Sequence, residues 1–406
     1  MQIFSANTNG TWLQNEGQDG PEQRRPNPFE QEVRRALSEV FRCNNLVILA
    51  GLGTSLCVMN SEGHRLAPTM ADLWGKVRLA HEEEDLVGVA WDDFLALVRH
   101  DPLDPNLEKL LSQCRLAEAF LTGQDLAAVQ AFGRVAERVV YAEVNFLTTN
   151  HDLPAHNEFL RRAARRSNRK SRTKIFTTNY DRCFEEAGRQ GRYVIVDGFS
   201  HTMPPTFDAV YFTYDVVRRG KENDVQDYIP NVFHLYKLHG SIDWQRETTS
   251  GEIQKVAEPL NPLLIYPRSS KYELAFEQPY LEMMSALQSA LREPDTGLLI
   301  VGFGFNDNHL SEPIMAAIRS NLALKAVVVS PGLAPWVDAD GTAKLGEAGV
   351  NSHLRRIRDL ARNGDARLTL LNCRFDELVP LVPDIAAETD LERHVQRLRK
   401  LDEEEL

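Results

Sequence analysis

The sequence predicts an α/β protein built on a doubly wound parallel sheet, with a mostly helical insertion. Three observations carry this reading. Short apolar runs such as Leu46-Val-Ile-Leu-Ala50, Val232-Phe-His-Leu-Tyr236 and Gly297-Leu-Leu-Ile-Val301 suit strands buried on both faces. Stretches with apolar residues at helical spacing separate them. The runs end in turns rich in glycine and asparagine: Gly51-Leu-Gly-Thr-Ser55, Thr177-Thr-Asn-Tyr-Asp181, His239-Gly240 and Gly302-Phe-Gly-Phe-Asn-Asp-Asn308. In a doubly wound sheet the ligand lies beyond the carboxyl ends of the strands, where all four turns fall.

Taken in order, residues 1–30 read as a flexible amino-terminal arm, either a free tail or a segment that orders on a partner subunit, because Asn15-Glu-Gly-Gln-Asp-Gly-Pro-Glu-Gln-Arg-Arg-Pro26 offers little apolar surface to bury. The main domain spans 31–384. It opens on an amphipathic helix marked by Val33, Ala36, Leu37, Val40 and Phe41, followed by the strand at Leu46–Ala50. From about 65 to 172 the pattern turns helical, and Arg161-Arg-Ala-Ala-Arg-Arg-Ser-Asn-Arg-Lys-Ser-Arg172 reads as a solvated basic helix end. Strands are then expected at Thr173–Thr177, Tyr193–Val196, Val232–Leu238, Leu263–Tyr266, Gly297–Val301, Ala326–Ser330 and Arg367–Leu371. Helices are expected at Asp181–Arg189, Pro279–Leu291 and from Asn308 through Arg319. Residues 385–406 read as a helix and acidic tail.

Bulk properties exclude several classes. With 406 residues, 43% hydrophobic and 26% charged, the chain can bury a large core. A net charge of −12 argues against broad binding to nucleic-acid phosphates. No apolar run approaches the roughly 20 residues of a membrane span, and the start Met1-Gln-Ile-Phe-Ser5 lacks a secretory pattern, so a cytoplasmic location is expected. The five cysteines are dispersed with no Cys-x-x-Cys pair, which fits a reducing compartment and leaves no zinc ligands at suitable spacing.

The turns carry the chemistry. Glycines after a strand allow a tight turn and close backbone approach to a ligand. The first turn has Leu56 where a dinucleotide fingerprint would place its third glycine, and no Gly-Lys-Ser/Thr follows, so alone it is equally an ordinary strand-to-helix turn. Thr-Thr-Asn-x-Asp occurs twice. The copy at Thr148–Asp152 follows no strand and reads as a helix cap; the copy at Thr177–Asp181 follows a strand and puts Asn179 at the ligand edge. His239 is suited to a general base near neutral pH. Asp181, Asn306 and Asp307 are open to two readings, ligand contact or helix cap. His201, His234 and His309 have no second ligand at metal spacing and read as structural. The Tyr211, Phe212 and Tyr214 cluster reads as core or lid packing.

The turn Gly51–Ser55, the segment Thr177-Thr-Asn-Tyr-Asp181 and Leu238-His-Gly-Ser241 follow one another in the order of the sirtuin superfamily's glycine turn, Thr-Gln-Asn-x-Asp segment and His-Gly motif. With Ile265-Tyr-Pro267 and Val301–Asp307, the chain resembles the divergent bacterial sirtuin-like proteins of anti-phage defence, over roughly residues 45–330. Length, helical insertion and amino-terminal arm look most like the sirtuin-domain subunit of sirtuin–HerA systems. The likeness implies a Rossmann-like fold of the sirtuin type and an NAD-binding site. Asn179 and His239 would be its catalytic pair. Ala50, Gly51, Gly53, Thr54, Ser55, Asp181, Gly302, Phe303, Asn306 and Asp307 would contact the dinucleotide, with the amides of Gly51–Ser55 on the diphosphate. Two features of deacylating sirtuins are absent: the four-cysteine zinc module, and the Pro-Asp-Phe-Arg segment, replaced by Leu56-Cys-Val-Met-Asn60.

These departures favour hydrolysis of NAD to nicotinamide and ADP-ribose, with NAD as substrate and no metal. The resemblance further implies NAD depletion in abortive anti-phage defence, a homo-oligomer, gating by a HerA-type hexameric ATPase, and nucleic acid met only through that partner. Two alternatives stand beside it: a non-catalytic NAD- or ADP-ribose-binding scaffold, and an NAD-dependent deacylase or ADP-ribosyltransferase.

Overall fold

The computed structural model describes residues 1–15, 27–84, 88–148, 151–167, 170–219, 226–260, 262–264, 278–338 and 340–384. Its centre is a sheet of nine strands: β1 (Gln2–Ser5), β2 (Leu13–Gln14), β3 (Asn45–Ala50), β4 (Lys174–Thr177), β5 (Val194–Val196), β6 (Val232–Lys237), β7 (Thr296–Val301), β8 (Lys325–Val329) and β9 (Leu368–Asn372). Their order is β2-β1-β9-β8-β7-β3-β4-β6-β5. From β9 to β5 every neighbouring pair is parallel, and the antiparallel pairs of this sheet are the two that β1 makes, with β9 and with β2. The chain enters the parallel part at β3, winds out through β4, β5 and β6, then returns to the other side of β3 as β7. The switch point therefore lies between β3 and β7.

Each central strand alternates between two cores. Leu46, Ile48 and Ala50 of β3 face the layer that holds α1 (Pro28–Phe41). Val47 and Leu49 face the opposite layer of α8 (Tyr280–Arg292), α9 (Asn308–Ser320) and the helix Ser352–Arg362. Burial on both faces is why these strands read as continuous apolar runs. The start of α1 is set locally: the Asn27 side chain accepts from the Glu30 amide at 2.8 Å and Pro28 fills the first turn. Its face of Phe29, Val33, Leu37 and Val40 is buried. Gly297 of β7 lets the helix come close, since a Cβ there would lie 2.1 Å from the Val40 carbonyl oxygen.

Among the described residues between β3 and β4 stand the α-helices α2 (Met70–Glu84), α3 (Trp91–Leu97), α4 (Leu107–Ala117), α5 (Gly123–Val144) and α6 (Pro154–Ala163). The first four enclose their own core of Val77, Trp91, Phe94, Leu110, Val129 and Phe132, which meets the main domain at Ile242, Tyr180 and Leu264. In the basic run, Arg161 and Arg162 pair with Glu158 and Arg172 with Asp215. Phe212 stacks on Tyr236 at 4.1 Å, and Tyr236 on Phe176 at 4.3 Å, so Phe212 of that aromatic cluster is packing, whereas Tyr214 is exposed. Among the described residues no helix is long and apolar enough to cross a membrane.

The structure corrects the reading of the amino terminus. Residues 2–5 pair with β9 from Gln2↔Asn372 to Ser5↔Thr369, and residues 13–14 pair with β1. Ser5 also donates to the buried Glu32 carboxylate of α1 at 2.6 Å. A polar composition conceals this because the apolar contact rests on a few residues, Ile3 and Phe4 with Trp12 and Leu13 beside them. The expected strand at Leu263–Tyr266 lies partly outside the described residues; within them, Leu264 forms one antiparallel bridge to Gly240. Ile265–Pro267, Thr149–Asn150 and the tail at 385–406 lie outside them as well.

His156 of α6 is 1% exposed and packed edge-on against Phe184 and Phe375, with neither ring nitrogen hydrogen-bonded. Burial pushes its pKa down to about 4. The unfolded ring protonates below its usual value of about 6.5 while the folded one stays neutral, so stability falls as pH drops from about 6.5 towards 4. His156→Leu is expected to leave the melting temperature at pH 7 unchanged or slightly raised, and to reduce its loss between pH 6.5 and pH 5. Melting curves across that range test this, and a variant that melts lower at both pH values would refute it.

Candidate active site

At the carboxyl ends of β3, β4, β6 and β7 lies a cavity of about 300 Å³. Asn179, Asp181, His239, Gly302, Phe303, Asn306 and Asp307 line it together. Leu52 is the member of the glycine turn that reaches the cavity. Ala50, Gly51, Gly53, Thr54 and Ser55 sit behind its wall.

The amides of Gly51, Gly53, Thr54 and Ser55 in the glycine turn are already committed. Gly51 donates to the Val301 carbonyl at 2.9 Å and Gly53 to the Gly302 carbonyl at 3.0 Å; Thr54 and Ser55 donate back to Gly51 and Leu52. For these four amides this departs from the expectation that the turn faces a diphosphate. The glycines serve the contact between two turns instead. A Cβ on Gly53 would lie 2.5 Å from the Gly302 Cα, and one on Gly51 would lie 2.5 Å from the Gly302 carbonyl oxygen. Gly302 itself has φ +64°, a conformation glycine adopts at least cost.

Asn179 ties the turn to β4. Its side-chain nitrogen donates to Ser55 Oγ at 2.8 Å, to the Gly51 carbonyl at 3.1 Å and to Thr54 Oγ1 at 3.2 Å. Its backbone amide donates to Thr177 Oγ1. This leaves the Asn179 carbonyl oxygen as the acceptor for a ligand. Asp181 accepts from Ser55 Oγ at 2.7 Å and from the Cys183 amide at 3.0 Å, at the start of α7 (Cys183–Gln190). Asp181 thus borders the cavity and holds the first amide of α7, while the N-cap position itself falls to Arg182, which makes no side-chain capping bond. Asp307 holds the N-cap position of α9, but its side chain makes no capping bond. Asn306 is exposed at the rim.

His239 follows β6, and Gly240 after it has φ +82°. That left-handed turn brings Ser241 and Ile242 back onto the Tyr180 carbonyl and fixes the imidazole in the wall. His239 is 2% exposed, and burial lowers its pKa to about 4. It is therefore a neutral ring at pH 7, able to accept a proton.

The sequence reading missed two residues here. Glu108, in the first turn of α4, brings a carboxyl from the insertion into the cavity wall beside Asn106. Burial, and then the charge of Asp307, push its pKa up to about 8, opposed by a hydrogen bond with Tyr180. Nothing in its local pattern separates it from a surface helix residue. His309, in the first turn of α9, places Nε2 at 3.2 Å from Nε2 of His239. Its position two residues after Asp307 was the available signal. Among the described residues no group of three or more His, Cys, Asp or Glu could hold a metal ion.

Because the two glycine turns touch through backbone, Gly53→Ala is expected to cost about 1–3 kcal/mol, the range for overpacking. A urea midpoint shift at unchanged slope measures it; a variant as stable as the parent would show that the turns separate freely.

A search of curated proteins finds no match to this chain. Residues 173–334, from the start of β4 to beyond β8, match the family model described as SIR2-like domain, a match that supports a sirtuin-like family and NAD-related chemistry for the segment bearing Asn179, His239 and Asp307.

Proposed function

We propose that the chain hydrolyses NAD at its nicotinamide–ribose bond. The observation that carries this is the convergence of Asn179 and His239 on one cavity at the sheet's switch point, within the SIR2-like segment. A volume of about 300 Å³ is at the lower end for ligand pockets and suits the nicotinamide–ribose half. The adenosine half would leave past the exposed Asn306 at the rim.

In the proposed reaction the bond from ribose C1′ to the pyridinium nitrogen breaks, its electron pair stays on that nitrogen, and neutral nicotinamide departs. The oxygen of one water bonds to C1′, giving ADP-ribose, and the water's proton passes to His239. The Asn179 carbonyl oxygen would hold that water or a ribose hydroxyl in place. Asp181 would act by keeping the Ser55 and Asn179 turn fixed, with its cavity edge near the nicotinamide side. The remaining proposals follow from the resemblance to the defence branch: NAD depletion during phage infection, a homo-oligomer in the cytoplasm, and gating by a HerA-type ATPase, with nucleic acid reached only through it.

One observation favours a second reading. The Asn179 amide nitrogen and both Asp181 oxygens are occupied within the fold, as a non-catalytic NAD- or ADP-ribose-binding scaffold would require. The deacylase and transferase alternatives differ from hydrolysis only in the acceptor.

Incubating the purified chain with NAD, alone and with its ATPase partner, and quantifying nicotinamide and ADP-ribose separates these readings. Turnover is expected, falling roughly 10²–10⁴-fold in His239→Ala and markedly in Asn179→Ala. Binding without turnover in both settings would establish the scaffold. A second measurement concerns Glu108. Its ionisation near pH 8 would add negative charge to the cavity, so ADP-ribose affinity is expected to fall from pH 7 to pH 9. Glu108→Gln should flatten that dependence in titration calorimetry; an unchanged slope would remove Glu108 from the site.

A further inference from the structure

We propose that His309 is the proton partner of His239, so that the two rings work as a relay rather than His239 as a lone base. This rests on the hydrolase reading for its role in turnover, though not for the coupling itself. The geometry starts from the 3.2 Å separation of the two Nε2 atoms and ring centroids 5.4 Å apart. Two nitrogens at that distance hold one hydrogen between them, one donating and the other accepting. His239 borders the cavity whereas His309 does not line it. The ring nitrogen left to His239 for a ligand is therefore Nδ1. To accept a proton there, His239 must carry its own hydrogen on Nε2 and donate it to His309.

The consequence is a balanced transfer. A proton arriving on Nδ1 of His239 makes an imidazolium. The hydrogen on Nε2 then crosses to Nε2 of His309, and His239 is neutral again in the other tautomer. The charge comes to rest beside Asp307, whose carboxyl makes no hydrogen bond to the α9 amides. That carboxyl is needed there. His309 lies in the first turn of a helix, where the backbone dipole disfavours a cation.

The groups facing His309 come from each neighbouring element: His239 after β6, Asp307 in its own turn, and Tyr280 at the start of α8 with ring centroids 6.0 Å away. His353 contacts the adjacent Asn308, and Tyr180 and Glu108 lie across the cavity. Burial first, and then His239, hold the His309 pKa down to about 4, opposed by Asp307. Both rings are thus neutral at rest, and among the described residues that line the cavity there is no Lys or Arg to repel the pyridinium of NAD.

The test uses the full chain with His309→Phe, which keeps a ring without nitrogens, and His309→Gln, which keeps a polar terminus. The expected result for His309→Phe is a kcat reduced tenfold or more at unchanged KM. The acid limb of the pH profile should move to lower pH, because the His239 imidazolium loses its acceptor. His309→Gln should recover part of both. A kcat and acid limb equal to the parent's in His309→Phe would overturn the proposal.

Nitrogen-15 spectra of labelled histidines supply a readout independent of turnover. In the parent, His239 should carry its hydrogen on Nε2, and its titration should move to lower pH in His309→Phe. If the parent does not cleave NAD but these spectra behave as stated, hydrolysis fails and the relay stands. If His239 titrates identically in parent and variant, the relay fails whatever the activity.

Discussion

The structure depends on the backbone contact between two turns, Gly51–Ser55 after β3 and Gly302–Asn306 after β7. These follow the strands between which the sheet changes winding direction, so their separation sets the crevice that any ligand must enter. With no side chain on Gly51, Gly53 or Gly302, the two main chains close to within hydrogen-bonding distance. Asn179 and Asp181 then fasten the first turn to β4 through Ser55. The cavity is shaped by what this clamp leaves outside itself. Its glycines serve the architecture, and chemistry is left to the side chains that project beyond.

This division explains what was legible in the sequence. Strand ends announce themselves, because a strand buried on both faces is a continuous apolar run and its end is marked by glycine or asparagine. That is how Asn179, His239 and the Gly302–Asp307 turn could be placed at one edge. The direction of the glycine-turn amides was not legible, since a turn that cradles an anion and a turn that packs on another turn have the same residues. Glu108 was hidden for a different reason. It lies in the insertion, on a helix whose pattern reports only its own core, and no local periodicity tells which exposed residue faces the cavity.

The amino-terminal strand shows a third kind of blindness. Gln2–Ser5 is too short for its alternation to be informative, and it follows its partner β9 at the sheet edge rather than its own propensity. Its contact with Glu32 of α1 adds a buried polar anchor that composition cannot suggest. The helical insertion, by contrast, was legible as helices because it encloses a separate apolar core. What the sequence did not indicate is that this core also supplies one wall of the cavity.

The pairing of β1 with β9 has a consequence for the order in which the chain assembles. Gln2 meets Asn372, almost the largest sequence separation the described residues permit, whereas β3, β4, β6 and β7 lie closer together along the chain. During synthesis from the amino terminus, β1 can pair only with its short hairpin neighbour β2 until β9 emerges and joins it to the main sheet. The strands that frame the cavity are complete before then. Loop-closure entropy makes the distant pairing the costlier one to form. The centre that carries the site can therefore order first, and the edge joins last, sealing a sheet whose functional half already exists.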